Sequence, residues 1–358
     1  MVVERDCGPE GCEIDWLTSG RLEVDEDPVE FLRFATAAGF GDGLPLVPPT
    51  EARVREHVAA SGRYPDELVA EVPPRNGRAT VEKIAVNAVM AGAPPESMPL
   101  LVAALRAMAD PQFNLFALNT TTCSVVPALV VNGPVRHALG LPMGAGCFGG
   151  EAGHGASIGR ATRLVMRNVG GQRVGLTSKS VFGQPGRVSG ICVAEWEERS
   201  PWAPLAARHG VPGDAVTVHG ATGTIDIADT VADNGADLLA VIGKSLAFPG
   251  TNAFIGRHHG AEIMVALAPP WADLVAAEYP DIADVQEQLH HHARLPLTSW
   301  PESHHRAIEE AGRVDDRGDV HLVESPEHML VLVNGGLGNL HAFAMHSFGP
   351  TRAVTRGL

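Results

Sequence analysis

The sequence predicts an α/β fold made of two α/β halves with mixed sheets and a glycine-rich central loop. Short apolar runs of strand length alternate with longer helical patterns, and several of the runs end in glycine turns. This alternation is typical of sheets that are covered by helices. The chain of 358 residues is long enough for two halves, which we expect at 28–210 and 211–358 after an N-terminal arm at 1–27.

The composition excludes several classes of partner. The net charge of −15 disfavours nucleic acid or an anionic membrane as the main partner. No apolar run approaches the ~18 residues of a membrane helix, and the N-terminal segment lacks the basic start and apolar core of a signal peptide. An odd count of five cysteines disfavours a complete disulfide set. We therefore expect a cytoplasmic protein with reduced thiols. The abundance of Ala, Gly, Arg and Val is typical of a bacterial source, and we also expect a homo-oligomer.

The first part of the chain offers one candidate binding residue. The segment before Pro28 lacks apolar periodicity and predicts a loose arm, in which Cys7 and Cys12 are not spaced like a usual zinc pair. The loop GFGDGLPLVPPT, Gly39–Thr50, is held extended by its glycines and prolines. It is either a rigid connector or a binding loop, and Asp42 is its candidate substrate-binding residue.

Periodicity and capping residues predict the elements that follow. Thr80 has the residue type of a helix N-cap, and Pro127 predicts an edge strand or a strand whose pairing starts late. We expect helices at 28–39, 51–60, 80–93, 99–109, 157–169, 236–247 and 282–293. We expect strands at 125–131, 189–196, 215–219, 262–267 and 329–333.

Two stretches around the first predicted strand carry groups for a polar pocket. NTTTC, Asn119–Cys123, combines an amide, hydroxyls and a thiol, which suit either a pocket or a plain turn. Asn119 and Thr121 are the candidate substrate-binding residues there. Further along, Ser178–Ser180 places a lysine between two serines, which suits a nucleophile and base or a surface loop.

The glycine-rich loop is the strongest candidate for chemistry. Eight glycines lie between Gly140 and Gly159, and glycine is used where backbone must turn or approach another group closely. Cys147, Glu151 and His154 lie among them, and none is needed for a turn. We assign them as candidate catalytic residues, with Cys147 as nucleophile or metal ligand and His154 as its acid–base partner. The alternative is a tight loop with a small buried cysteine.

A predicted helix with Ser157 as N-cap follows the glycines and carries three arginines. Arg160, Arg163 and Arg167 share one face of the helix because they are spaced at i, i+3 and i+7. A glycine loop that leads into a helix N-terminus offers N–H groups and a positive dipole end to an anion. Arg160 and Arg163 are therefore candidate ligands of a carboxylate or phosphate. The alternative is a solvated basic face.

The cofactor stays open at the sequence level. Glu195, Glu197 and Glu198 follow a predicted strand and suit metal binding, proton transfer or a solvated edge. The run His290–His292 is a poor metal clamp because neighbouring side chains on a helix point in different directions. A divalent metal is thus an open candidate, whereas no GxGxxG in a Rossmann context supports a nicotinamide cofactor.

Taken together, the motifs GDGLPLVPPT, ATVEKIAVNAVMAG, VVNGP, IGRATRLVMRNVGG, SPWAPL and a final strand followed by NGG resemble a bacterial protein family. We associate that family with genes for UGSC-type thiol or selenol proteins, and the resemblance covers about 35–356. The chain departs from the family pattern at Gly153–Ala156, at Ala268–Ala272 and in carrying Cys147. The resemblance implies a thiol or selenol partner but supplies no mechanism.

Two functions follow as expectations. The first is an enzyme that cleaves or hydrolyses a bond in a small anionic, carboxylate-bearing metabolite, as a lyase or hydrolase with thiol or metal participation. The second is a non-catalytic binding subunit that serves a thiol or selenol protein. Because ligands prefer crevices between α/β units, we expect the site between the two halves.

Overall fold

The fold is described from a computed structural model, which covers residues 17–25, 27–254, 261–338, 340–349 and 351–358. The helices are α1 Pro28–Ala38, α2 Glu51–Ala60, α3 Val81–Ala91, α4 Met98–Met108, α5 Leu115–Thr120, α6 Val135–Ala138, α7 Gly155–Asn168, α8 Gly186–Ser189, α9 Leu205–Arg208, α10 Gly235–Leu246, α11 Pro269–Ala276, α12 Ile282–His292 and α13 Glu302–Glu310. The strands are β1 Leu68–Val72, β2 Gly77–Thr80, β3 Val126–Asn132, β4 Ile191–Ala194, β5 Ala215–Ala221, β6 Ile225–Ala228, β7 Ile263–Leu267, β8 Arg294–Pro296, β9 Asp319–His321, β10 Met329–Val333, β11 His341–His346 and β12 Val354–Gly357.

Two four-stranded mixed sheets form the centre of the molecule. The first has the order β12-β5-β3-β4 and the second the order β10-β7-β11-β6. In the first sheet, β3 is parallel to β4 and antiparallel to β5, while β5 is antiparallel to β12. In the second sheet, β7 is parallel to β10 and antiparallel to β11, while β11 is antiparallel to β6. The two sheets therefore share one pattern of strand directions.

The sheets stack face to face and helices cover their outer faces. Alternation along β3 sends Ala128 and Val130 into a core that also contains Met264, Leu330 and other residues of the second sheet. The intervening side chain Leu129 packs into a separate core with α3, α4 and α7. The outer face of the second sheet packs in the same way against α10, α11 and α12. The result is a four-layer arrangement of helices, sheet, sheet and helices.

The two halves repeat the same order of helices and strands. In each half, the strand that follows the repeated unit pairs with the sheet of the other half. The elements β3, α6–α7, β4 and β5 correspond in order and direction to β7, α11–α12, β10 and β11. After β5 the chain continues as β6, which pairs with β11 of the other sheet. After β11 it continues to β12, which pairs with β5. The tripeptide Val-Asn-Gly occurs at 131–133 and again at 333–335, but it does not mark this symmetry, because it ends the non-equivalent strands β3 and β10.

The prediction of an α/β fold with two α/β halves and mixed sheets is confirmed. The predicted boundary at 210/211 does not follow the sheets, because β5 and β12 belong to the first sheet. Pro127 lies in a central strand, so the alternative of an edge strand is wrong. The pairing of β3 with β4 starts only at Ala128, which agrees with the alternative of a late start. Thr80 caps α3 as predicted, whereas α7 starts two residues before Ser157.

The described end of the N-terminal arm docks onto α3. Leu17 packs against the first core. The buried carboxylate of Glu82 accepts hydrogen bonds from the backbone N–H of Thr18 and of Ser19, each at 2.9 Å. Burial would raise the pKa of Glu82, but these hydrogen bonds outweigh it and hold the pKa below its usual value. Cys7 and Cys12 lie outside the described residues.

Candidate functional site

The glycine-rich loop buries Cys147 instead of presenting it. Cys147 is 6 % exposed, and a Cβ added at Gly336 would lie 3.2 Å from the Cβ of Ala145 in the same loop. Burial raises the pKa of Cys147 to about 11, and backbone hydrogen bonds led by that of Gly335 only partly oppose the shift. A thiol with this pKa is almost wholly protonated at neutral pH, so its surroundings disfavour a thiolate nucleophile.

The two predicted partners of Cys147 lie at the surface. Glu151 is exposed and its carboxylate accepts a hydrogen bond from the adjacent Ala152 N–H at 2.9 Å. His154 is exposed at the N-cap of α7 and makes no capping hydrogen bond with its side chain. Within the described ranges, no hydrogen bond joins the side chains of Cys147, Glu151 and His154. The three candidate catalytic residues therefore do not form a constellation here.

Arg160 and Asp42 bind each other. Arg160 donates from Nε to Oδ2 of Asp42 at 2.7 Å and from Nη2 to Oδ1 at 2.8 Å, and both side chains are 11 % exposed. Burial raises the pKa of Asp42, and the Arg160 hydrogen bond and charge more than offset it, so the pKa is lowered. This two-pronged pair fixes the Gly39–Thr50 loop on α7. Arg160 is thus engaged by a carboxylate of the protein itself.

Arg163, one turn further along α7, is buried among neutral acceptors. It donates to the backbone carbonyl of Arg187 at 3.0 Å and to Oε1 of Gln172 at 2.6 Å, and its Nη1 lies 3.1 Å from the Met166 sulfur. Gln172 in turn donates to Oδ1 of Asn119 at 2.8 Å. Asn119 therefore positions an arginine through Gln172 and does not itself line the site.

A cleft of about 630 Å³ opens beside this network. Its polar lining includes the side chains of Asp42, Arg163, Arg167, Gln172 and Arg187, and we call it the arginine cleft. Nε of Arg167 and Nη1 of Arg187 are buried nitrogens without an acceptor among the described residues. Buried donors of this kind are rare because leaving one unpaired costs about 1–3 kcal/mol.

The charges around the arginine cleft are unbalanced. Burial and the nearby charges of Arg187 and Arg167 lower the pKa of Arg163 to about 9. The pKa of Arg167 is lowered by burial and then by Arg173, against the opposing charge of Asp42. The pKa of Arg187 is likewise lowered by burial. Burial is the leading cause of all three shifts, and an arginine side chain stays protonated at neutral pH.

The arginine cleft lies at the amino ends of β3 and β4. The would-be Cβ of Gly159 meets Ser189–Ile191, and Arg163, one turn later, reaches Arg187, so α7 runs back along β4. Gly159 itself makes this close approach possible, since the added Cβ would lie 3.0 Å from the Ser189 carbonyl oxygen. All the lining belongs to the first predicted half, so this cleft is not the expected site between halves.

The NTTTC stretch pairs with the segment that follows Ser178, since the Val181 N–H donates to the Thr122 carbonyl at 3.0 Å. Thr121 accepts a hydrogen bond from the Cys123 N–H at 3.2 Å, and the Cys123 thiol accepts one from Asn252 at 3.4 Å. Burial raises the pKa of the half-buried Cys123, while Asn252 and the positive charge of Arg187 oppose the shift. Arg187 also donates to Ser178 at 3.1 Å. Ser178 is thus engaged by Arg187, and Lys179 is exposed.

The predicted acidic cluster lies at the opposite ends of the same strands. Glu195 is buried after β4 and accepts hydrogen bonds from Asn132 at 2.7 Å and from the Leu205 N–H at 2.8 Å. Burial raises its pKa. Glu197 and Glu198 pair with the buried Arg136 at 3.1 and 2.9 Å. These carboxylates tie β3, β4 and α6 together.

Sequence reasoning found the right helix face but missed part of the cleft. Asp42 pairs with Arg160 of α7, and Asn119 reaches Arg163 through Gln172, whereas Thr121 accepts a hydrogen bond from the Cys123 N–H. Gln172 and Arg187 were missed. Their signal is faint, because both follow α7 in a glycine- and proline-rich connection without periodicity.

Across the described ranges, no group of three or more His, Cys, Asp and Glu residues is arranged to hold a metal ion. His258 and His259 lie outside them. In the same ranges, no helix has the length and apolar character needed to cross a membrane. Comparison of the chain with protein-family models and with curated proteins finds no match to either.

Proposed function

We propose that the arginine cleft binds the carboxylate or phosphate group of a small metabolite. The observation that carries this proposal is Arg163, a residue with 7 % exposure whose guanidinium donates only to neutral acceptors. Burying a charge without a counter-charge is costly unless a partner completes the site. An anion in the cleft would supply that partner and would also accept hydrogen bonds from Arg167 and Arg187.

We further propose that this binding serves an enzyme that cleaves or hydrolyses a bond close to the anionic group. Fixed guanidinium donors in a partly desolvated cleft stabilise negative charge that develops in a transition state. The alternative is a non-catalytic binding subunit for a thiol or selenol protein, as the family resemblance implies. Both functions require the anion to bind, so the enzyme and the binding subunit differ in whether the bound ligand is converted to product.

The test is titration of the full chain with inorganic phosphate and with acetate. Arg167→Gln and Arg187→Gln each remove one charge-assisted hydrogen bond, worth about 1.5–3 kcal/mol, so each should weaken binding about 10- to 150-fold. Arg306→Gln is the matched control, because Arg306 is an exposed arginine paired with Glu310 on α13. Binding to the wild-type chain should also weaken as the salt concentration rises.

Equal affinity of the wild-type chain and both cleft variants for both anions would reject the proposal. If the anions bind as expected, incubation with a panel of carboxylate and phosphate esters, followed by NMR, separates the two functions. Product formation that Arg187→Gln abolishes supports the enzyme. Anion binding without any product supports the binding subunit.

A further inference from the structure

The mouth of the arginine cleft is lined by exposed apolar side chains. Phe182 is 96 % exposed and Val174 is 66 % exposed, and both line the cleft together with Val188. Leu176 and Val181, on the same connection between α7 and α8, are also exposed. Single exposed apolar residues are ordinary, but a cluster in one short segment marks a surface that contacts another molecule. We call Val174, Phe182 and Val188 the apolar rim.

The size of the cleft agrees with a ligand larger than a bare anion. Pockets that hold drug-sized molecules measure roughly 300–1,000 Å³, and this one measures about 630 Å³. Its polar groups are concentrated on α7 and at Arg187, where the unpaired nitrogens of Arg167 and Arg187 lie. The rim supplies apolar contact at the mouth. Because the arginines lie inside the cleft and the apolar side chains lie at its mouth, the cleft favours a ligand with a charged end and an apolar body.

We propose that the ligand is an amphiphilic anion, a monocarboxylate or monophosphate whose charged end lies on the cleft arginines and whose apolar body lies against the apolar rim. This inference rests on the proposed function and deepens it by naming the class of ligand. Burial of one methylene against Phe182 or Val174 strengthens binding by up to about fourfold, so affinity rises with chain length.

The experiment titrates the full chain with acetate, butyrate and hexanoate, followed by ligand-observed NMR. Affinity for the wild-type chain should rise about two- to fourfold per added methylene. The double variant Val174→Ser/Phe182→Ser should bind acetate within about twofold of wild type and lose most of the dependence on chain length. Phe182→Leu keeps an apolar rim and should keep the dependence. Phe116→Ser, which removes an exposed phenylalanine on α5, is the matched control.

Three results would overturn the inference in distinguishable ways. If neither acetate nor inorganic phosphate binds, the proposed function itself fails. If acetate and hexanoate bind equally well, the amphiphilic ligand is rejected while anion binding stands. If the dependence on chain length persists in the double variant and sedimentation shows a changed oligomeric state, the apolar rim is a contact between copies of this chain.

Discussion

At the scale of single residues, the cleft arginines differ from the other buried arginines in what neutralises them. Arg136 pairs with two glutamates and Arg160 with Asp42, so each guanidinium faces a carboxylate of the protein. Arg163 and Arg187 face amide, hydroxyl and carbonyl groups instead. Because a hydrogen bond to a neutral acceptor does not cancel charge, the field of these arginines extends into the cleft.

The cysteines of the first half should differ in reactivity for a similar reason. Cys147 and Cys192 are buried and their pKa values are raised to about 11 and about 12, whereas Cys123 is half-buried beside Arg187. In a Cys7→Ser/Cys12→Ser background at pH 8, iodoacetamide should therefore modify Cys123 first. Mass spectrometry of tryptic peptides measures the order. Preferential modification of Cys147 would restore it as a candidate nucleophile.

At the scale of elements, the docking of the arm on α3 predicts an effect of truncation. Removal of residues 1–16 keeps Thr18 and Ser19, so the thermal midpoint should change little. Removal of 1–20 takes away the donors of the buried Glu82 and should cost about 2–4 kcal/mol, seen as a drop of several degrees.

A second substitution identifies the cause of this loss. Glu82→Gln removes the buried charge, so it should destabilise the chain that starts at residue 17 more than the chain that starts at residue 21. Equal effects of Glu82→Gln in both chains would show that the arm stabilises the fold through Leu17 packing alone.

Elements with strong local signals were predictable, and those defined by tertiary contacts were not. Both α2 and β10 have the predicted bounds, because a proline-rich loop precedes α2 and a continuous apolar run forms β10. The sequence does not predict β6 or β12, since each is a four-residue strand at the edge of a sheet. Such strands form because β11 and β5 offer unpaired backbone groups, which local periodicity does not reveal.

The candidate site shows the same division. Helical spacing placed Arg160, Arg163 and Arg167 on one face, and all three lie near the cleft. The sequence could not show that Asp42, 118 residues earlier, would neutralise Arg160 and not Arg163. It also could not show that the glycine-rich loop turns Cys147 inward, because glycines permit many backbone paths and the tertiary packing selects one.

At the scale of the whole molecule, the two pseudo-equivalent halves differ in the cavity that is lined by the connection before their parallel edge strand. The connection between α12 and β10, which corresponds to that between α7 and β4, lines a smaller cavity of about 210 Å³. There His321 pairs with Asp315 at 3.2 Å, and Arg313 donates to the His321 and Leu322 carbonyls at 3.0 and 3.2 Å. Of these two cavities in the described part of the chain, the one in the first half is larger and is lined by two arginines with unpaired nitrogens, which favours it as the binding half.

The strand exchange predicts that a truncation in one half of the sequence weakens the other half. Deleting residues 354–358 removes β12, so the backbone of β5 opposite it loses its partner at Ala215–Val218. Loss of these few hydrogen bonds and of the buried Val354 should cost about 2–4 kcal/mol. Hydrogen exchange with mass spectrometry should show reduced protection in β5 and β3, while β7 and β10 stay protected.

The mirrored variant Ile227→Ala tests the other exchanged strand. Ile227 is buried in β6 against the second outer core, so its truncation should reduce protection in β11 and leave β5 unchanged. If the chain instead formed two independent halves divided at residue 211, deletion of 354–358 would reduce the protection of β7 and β10. That pattern of exchange would contradict the pairing of β12 with β5, and with it the interlocking of the two sheets.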